Sequence, residues 1–292
     1  MVTLTVFTPT YNRAHLLQRG YDALCRQTCK DFCWLIIDDG STDNTEEVVK
    51  QWIAENKIPI SYVYKENGGL HTGYNKAIEL MDTELCVCID SDDYMPDDAV
   101  EKIVSCWKER GSKHVAGIIG LDFLESNTPI GGQFPNIDKC HLYELGLKYD
   151  HKEDTKEVVR VDLLKQVYPQ PTYNNEKNFN PSYMFYKIDL EYEWLLLNEN
   201  LCIVDYQPDG MANAIFCQYL NSPNSFAALR LLYFRIPNAP IGYYFKQYIH
   251  LGSSVILSNN YSWLRKVPYP WVAYLFLPLG FLLSIYIKVR AK

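Results

Sequence analysis

Several short stretches of the 292-residue chain carry side chains able to do chemistry together. In Ile36-Ile37-Asp38-Asp39-Gly40-Ser41-Thr42-Asp43, two carboxylates sit where an apolar run gives way to a glycine turn. Acids at such a strand end can hydrogen-bond the base or ribose of a nucleotide, and they can equally cap the helix that follows. Cys88-Ile89-Asp90-Ser91-Asp92-Asp93 is a second acidic strand end, with three carboxylates within four residues. These repel unless a cation sits among them, and a divalent metal, Mg2+ or Mn2+, held by one or two carboxylates plus a diphosphate is the simplest such partner. A solvated acidic turn opening the next helix is the competing reading. Asn67-Gly68-Gly69-Leu70-His71-Thr72-Gly73-Tyr74-Asn75 offers glycines for close backbone approach and a helix start for an anion, without a P-loop lysine or a GxGxxG spacing. Within it His71 is either a ligand or a packing residue. Finally, Tyr168 to Pro181 (YPQPTYNNEKNFNP) is too aromatic for a linker and reads as an ordered, functional loop.

The elements that must position these residues show in the periodicity. Apolar runs at 4–8, 33–37, 60–64 and 85–89 predict strands; helical spacing predicts helices at 15–27, from Thr42 as N-cap to residue 55, at 72–81, and from Pro96 onward. Four β-α units of this length imply an α/β fold, a mostly parallel sheet covered by helices on both faces, with ligands at the carboxyl ends of its strands. Residues 109–210 are less regular, with strands predicted at 115–120, 158–161 and 201–205, Glu191 and Glu193 on a solvated helix face, and Asp209-Gly210 as a tight turn.

With 48% hydrophobic and 22% charged residues the chain is globular, and its net charge of −7 excludes a chain-wide basic footprint for nucleic acid. Position matters more than the total. No acid follows Asp209, so residues 1–220 carry −15 and residues 221–292 carry +8. The nine cysteines lie mostly in apolar runs without zinc-site spacing and read as reduced thiols of a cytosolic protein. The first residues run straight into a strand pattern, so no secretory signal is expected. Residues 267–287 (VPYPWVAYLFLPLGFLLSIYI) are 21 consecutive uncharged residues, flanked by Lys266 and Lys288 and edged with Tyr269, Trp271, Tyr274 and Tyr286. That length can span a bilayer, lie at its interface or pack as a buried terminal helix, and the acid-free basic stretch 226–256 before it suits an anionic membrane surface.

Taken in order, Thr3-Leu-Thr-Val-Phe-Thr-Pro-Thr-Tyr-Asn-Arg13, Gln27-Thr28, Ile37-Asp-Asp-Gly-Ser-Thr-Asp-Asn-Thr45, Asn67-Gly-Gly-Leu-His-Thr72 and Asp90-Ser-Asp-Asp93 resemble the inverting family 2 glycosyltransferases of GT-A fold. The resemblance implies transfer of a sugar from a nucleoside-diphosphate donor, UDP foremost, to a glycan acceptor that is lipid-linked, in polysaccharide synthesis on the cytoplasmic side of a membrane. It places Thr8, Pro9 and Tyr11 around the base, Asp39 bonded to the base, Asp90 facing the ribose or donor sugar, and Asp92 on the metal. Arg13, Asn67, Gly68, His71 and Ser91 fall in the same donor-binding set. An inverting transfer needs a general base opposite the leaving group. Ser182 stands where relatives carry an acid, which leaves Glu176 as the expected base; Leu70 stands where relatives often place a lysine. The expected layout is a GT-A domain at 1–220, with donor half 1–108 and acceptor half 109–220, followed by a helical tail at 221–292. A sugar-phosphate nucleotidyltransferase and a non-catalytic nucleotide-sugar or glycan-binding module are the alternatives. Nothing in the sequence fixes the oligomeric state.

Overall fold

Strand and helix alternate through the first 110 residues: β1 (Leu4–Thr10), α1 (Ala14–Arg26), β2 (Phe32–Asp38), α2 (Thr45–Glu55), β3 (Ile60–Tyr64), α3 (Leu70–Leu80), β4 (Leu85–Cys88) and α4 (Ala99–Arg110). Then come β5 (Val115–Leu124), β6 (Lys139–Cys140), α5 (Leu142–Leu147), β7 (Thr155–Arg160), α6 (Val161–Val167), α7 (Ser182–Asp189), β8 (Glu193–Val204), α8 (Ile215–Asn221), α9 (Pro223–Tyr233), α10 (Ile241–Ser258) and α11 (Pro270–Arg290). This is a computed structural model describing residues 2–207 and 214–291; Asp209 and Gly210 lie outside the described residues. Contacts divide it into a first unit, residues 2–68, 72–169 and 191–207, and a second, residues 69–71, 170–190 and 214–291.

The first unit is built on one eight-stranded sheet in the order β3-β2-β1-β4-β7-β5-β8-β6. Its first four strands are parallel, as the β-α alternation requires. Beyond β4 the sheet stays mostly parallel: β7 runs antiparallel between β4 and β5 and β6 antiparallel to β8, but β5 and β8 pair parallel, so six of the eight strands share one direction. Glu193, however, is not on a helix. It opens β8, whose buried Trp194, Leu195 and Leu196 make a continuous apolar run that pairs with β5. The core packs β1, β2 and β4 against α1, α2 and α4; in it Tyr21 stacks on Trp52 at 4.5 Å, and the Trp34 indole N–H finds Thr8 Oγ1 at 3.0 Å.

In the second unit Phe179 is fully buried among Ala227, Leu229, Leu251, Val255, Trp263 and Ala273. The Pro- and Asn-rich loop therefore folds into the core of the C-terminal helices. Helices α10 and α11 cross with backbone in contact: a Cβ on Gly280 would stand 2.7 Å from Gly252 Cα. α11 turns small residues inward (Ala273, Gly280, Ser284) and large ones outward, with Trp271 69%, Leu275 68% and Leu282 60% exposed. Pro270 occupies the first turn, where a missing N–H costs little, and the 21-residue helix runs on through Pro278. It is long and apolar enough to cross a membrane.

Candidate active site

The parallel half of the sheet sets strand carboxyl ends side by side. Thr10 pairs with Asp38 and Phe7 with Cys88; past the strand ends Asp39 N–H donates to Thr10 O (2.8 Å), Ile89 N–H to Phe7 O (3.0 Å) and Lys65 N–H to Asp38 O (2.9 Å). β1 carries β2 on one side and β4 on the other, so the chain direction switches at β1, the place where open α/β sheets bind ligands.

The adjacent acids do different jobs. Asp38 is buried and structural, accepting from Ser41 N–H at 2.7 Å and Tyr62 O–H at 2.6 Å. Asp39 is 5% exposed and gathers donors from the next strand end: Lys65 Nζ, Gly68 N–H at 3.0 Å and Asn67 Nδ2 at 3.2 Å. Asn67 and Gly68 thus hold Asp39, where the sequence suggested a phosphate loop. Gly40 has φ +88° and a Cβ there would meet Asn67 N at 2.8 Å, so the turn after Asp39 needs glycine. Thr42 is not the N-cap of α2, because the helix starts at Thr45 with Asn44 in the N-cap position; Thr42 N–H and Oγ1 both donate to Asn12 Oδ1 (2.7 and 3.3 Å), and Asp43 accepts from the Thr45 N–H at 3.1 Å. Burial opposes the charge on Asp43, yet hydrogen bonds from Thr45 and Ala14 keep its pKa below the ordinary value.

At the end of β4, Asp90 is exposed and Ser91 buried. Asp92 pairs with Arg13 Nη1 at 2.8 Å. Asp93 is buried, accepts from Asp205 N–H at 3.1 Å, and is pushed up to about 7, mainly by burial and by the neighbouring Asp90 and Asp92 charges against the pull of Lys156. Lys156 on β7 lies 3.6 Å from the buried Asp122 of β5. Burial works against its ammonium, and Asp122, Asp93 and Asp90 outweigh that and hold it protonated. The cations demanded by three clustered acids are therefore partly supplied by the chain, by Arg13 and Lys156. Among the described residues no group of three His, Cys, Asp or Glu is placed to hold a metal. What is present fits a metal that arrives with other oxygen donors: Asp92, 17% exposed, could supply one carboxylate ligand.

Thr8 and Pro9 are buried at the end of β1, while Tyr11, just beyond, is 49% exposed. His71 is buried, its ring 6.3 Å from Phe179. Gly69 (φ +94°) has no room for a Cβ, which would lie 1.8 Å from Lys177 O. Glu176, the expected base, is held by the start of α9. Its buried carboxylate accepts from Asn224 N–H (2.8 Å), Asn224 Nδ2 (2.8 Å), Ser225 N–H (2.8 Å) and Ser225 Oγ (2.6 Å). It caps the start of α9 from outside the helix, and both oxygens are fully engaged. Lys65 and Lys156 escaped the sequence reading. Lys65 follows a strand end and could have been found by the rule that singled out the acids; Lys156 carries no local signal.

A family model described as glycosyl transferase family 2 matches residues 5–162. The chain belongs to this family. A chondroitin synthase of Pasteurella multocida is 37% identical over 106 residues, covering 36% of this chain and 11% of the relative. The poly(ribitol-phosphate) beta-N-acetylglucosaminyltransferase TarP of Staphylococcus aureus is 29% identical over 133 residues, covering 44% and 40%. The matched part spans about a tenth of the Pasteurella synthases. Among solved structures, S. aureus TarS 1–349 in complex with UDP superposes with a TM-score of 0.61 at 17% identity, over 98% of this chain and 91% of that one. A Pyrobaculum calidifontis mannosyltransferase in complex with GDP-Man and Mn2+ gives 0.59 at 16%, over 99% and 82%. The fold of this family member is GT-A.

Proposed function

We propose that the protein is an inverting, metal-dependent glycosyltransferase that moves a sugar from a nucleoside-diphosphate donor, UDP-linked in the favoured form, to a lipid-linked glycan acceptor in cell-surface polysaccharide synthesis. The observation that carries this reading is the placement of Asp39, Asp90 and Asp92 at neighbouring carboxyl ends of the parallel strands, where the fold binds nucleotides. It is supported by the Pasteurella chondroitin and hyaluronan synthases, and by UDP and GDP-Man in the named structures.

In this mechanism Thr8, Pro9 and Tyr11 wall the base. Asp39, held by Lys65, Asn67 and Gly68, accepts a hydrogen bond from the base N–H. Asp90 and Ser91 face the ribose or donor sugar. Arg13, which pairs with Asp92 at 2.8 Å, would face the diphosphate, and Asp92 would hold the divalent ion. That ion, Mg2+ or Mn2+, would supply Lewis-acid neutralisation of the leaving diphosphate. The acceptor hydroxyl attacks from the face opposite the leaving group, inverting the anomeric carbon, and its proton goes to a group other than Glu176. The outward face of α11, with Arg265, Lys266, Lys288 and Arg290 exposed around it, rests on the anionic cytoplasmic leaflet in this reading.

Incubating the purified chain with a panel of nucleotide sugars and lipid-linked acceptors tests this. One donor should be consumed with inversion, and Asp92→Asn should lose transfer at least 100-fold with thermal stability unchanged, a loss of about 3 kcal/mol of transition-state stabilisation. Full activity in that variant would overturn the assignment of Asp92. Donor binding with neither transfer nor hydrolysis would mean a binding module.

A further inference from the structure

Among its described residues the second unit contains a buried cation without a paired anion. Arg230 on α9 is 8% exposed. Its Nη1 donates to the Gln247 side-chain oxygen of α10 at 3.1 Å, and its guanidinium lies 5.6 Å from the Tyr233 ring centroid. Its Nε is buried and meets no acceptor. No carboxylate pairs with it among the described residues, and the sequence explains why, since no acid follows Asp209. Of the described acids of the unit, Glu176 is fully engaged by α9 and Asp189 is buried at the end of α7, in no ion pair with Arg230. A guanidinium has five N–H donors, and burying its charge against one amide oxygen is costly.

Lys246 adds to the positive field. Burial, then Arg230 and Lys246, hold His250 down to about 3, so that ring is neutral and adds no charge of its own. Tyr243 packs 6.4 Å from Tyr233, and Tyr233 lies beside Ser182, the position at which the family resemblance expects an acid. The free edge of the guanidinium is the face that binds two oxygens of one anion at once.

We propose that Arg230 anchors an anion subsite for a phosphoryl group of the acceptor, bound through the guanidinium edge, with Gln247 fixing the guanidinium and Tyr233 and Tyr243 walling it. The proposal rests on the reading of the acceptor as lipid-linked. That source fits the same unit's outward apolar face on α11, which would bring a lipid phosphate to this unit.

The test is co-sedimentation of the full chain with phosphatidylcholine vesicles doped with a polyprenyl phosphate or with the uncharged polyprenol. Wild type should prefer the phosphate by about tenfold, roughly 1.4 kcal/mol. Arg230→Met should erase the preference while folding at least as stably, because replacing an unpaired buried charge by an apolar side chain is neutral or stabilising. Arg230→Lys, which keeps the charge but loses the planar fork, should retain a small part of it. An equal loss on phosphatidylglycerol vesicles would identify a bulk headgroup as the source of the phosphoryl group; an unchanged response there would identify the acceptor. Wild type without a preference, or either variant with the full one, overturns the proposal. Nucleotide binding measured on the same samples separates the two readings: wild type that binds no nucleotide sugar fails the transferase reading and leaves this test standing.

Discussion

Replacing Glu176 by Gln separates a helix cap from a catalytic base. The carboxylate meets four donors, two of them the N–H groups of Asn224 and Ser225 in the first turn of α9, which have no partner within the helix. In Glu176→Gln one oxygen becomes an NH2 group facing two donors, so two charge-assisted bonds of about 1.5–3 kcal/mol each are lost. The charge opposite the helix N-terminus, worth about 0.3–1 kcal/mol, goes with them. Partial relaxation and water entry reduce the sum, leaving about 3 kcal/mol, or about 6–12 °C in Tm for a domain of this size. The network continues, because Asn224 Oδ1 accepts from the Trp263 indole N–H at 2.9 Å, so Trp263 fluorescence should shift in the same variant. Thermal unfolding followed by that fluorescence is the assay. A catalytic base would behave oppositely: the variant would melt with wild type while transfer fell by two orders of magnitude or more. That outcome would refute the capping assignment.

Three further perturbations test other parts of the molecule. Unfolded histidine titrates near 6.5 and folded His250 at about 3, so between these values protons bind the unfolded state and stability falls as pH drops; His250→Phe should recover about 2 kcal/mol at pH 4.5, and an unchanged slope of Tm against pH would exclude His250 as the cause. Gly280→Ala sets a Cβ against the backbone of Gly252 and Ser253, which cannot yield as a side chain would, and should cost about 2 kcal/mol in urea unfolding; a neutral result would mean that the helices do not cross this closely. Arg13→Gln removes the cation that competes for Asp92, so Mn2+ followed by electron paramagnetic resonance without nucleotide should bind about fivefold more tightly, in line with about 1 kcal/mol for a partly exposed pair; weaker binding would show that Arg13 helps to build the metal site.

The donor half was legible because its signals are local. An apolar run, a glycine turn and an acid mark a strand end wherever they occur, and the parallel order of β1 to β4 follows from the connecting helices. Where the reading failed, a partner distant in sequence had decided the matter. Thr42 looks like a cap, but its N–H and hydroxyl both turn to Asn12, 30 residues earlier, and α2 starts only at Thr45. Glu176 looks like a free acid in a loop until the start of α9, 48 residues later, closes on it. Arg230 in an acid-free basic stretch looks like a membrane contact, yet it is buried.

The acid cluster at the end of β4 shows what such partners change. Repulsion among Asp90, Asp92 and Asp93 correctly required a cation, and the inference from that requirement to a metal skipped a step. Lys156, on a strand that enters the sheet more than 60 residues later, faces Asp93 and Asp90, and Arg13 faces Asp92. With these in place the repulsion within the cluster is partly relieved by the chain itself, and of its carboxylates Asp92 is the one paired with a partly exposed side chain, Arg13. Under the proposed function a diphosphate brings charge that Arg13 alone would not balance, so metal and nucleotide should bind this protein cooperatively, each tightening the other by the same factor.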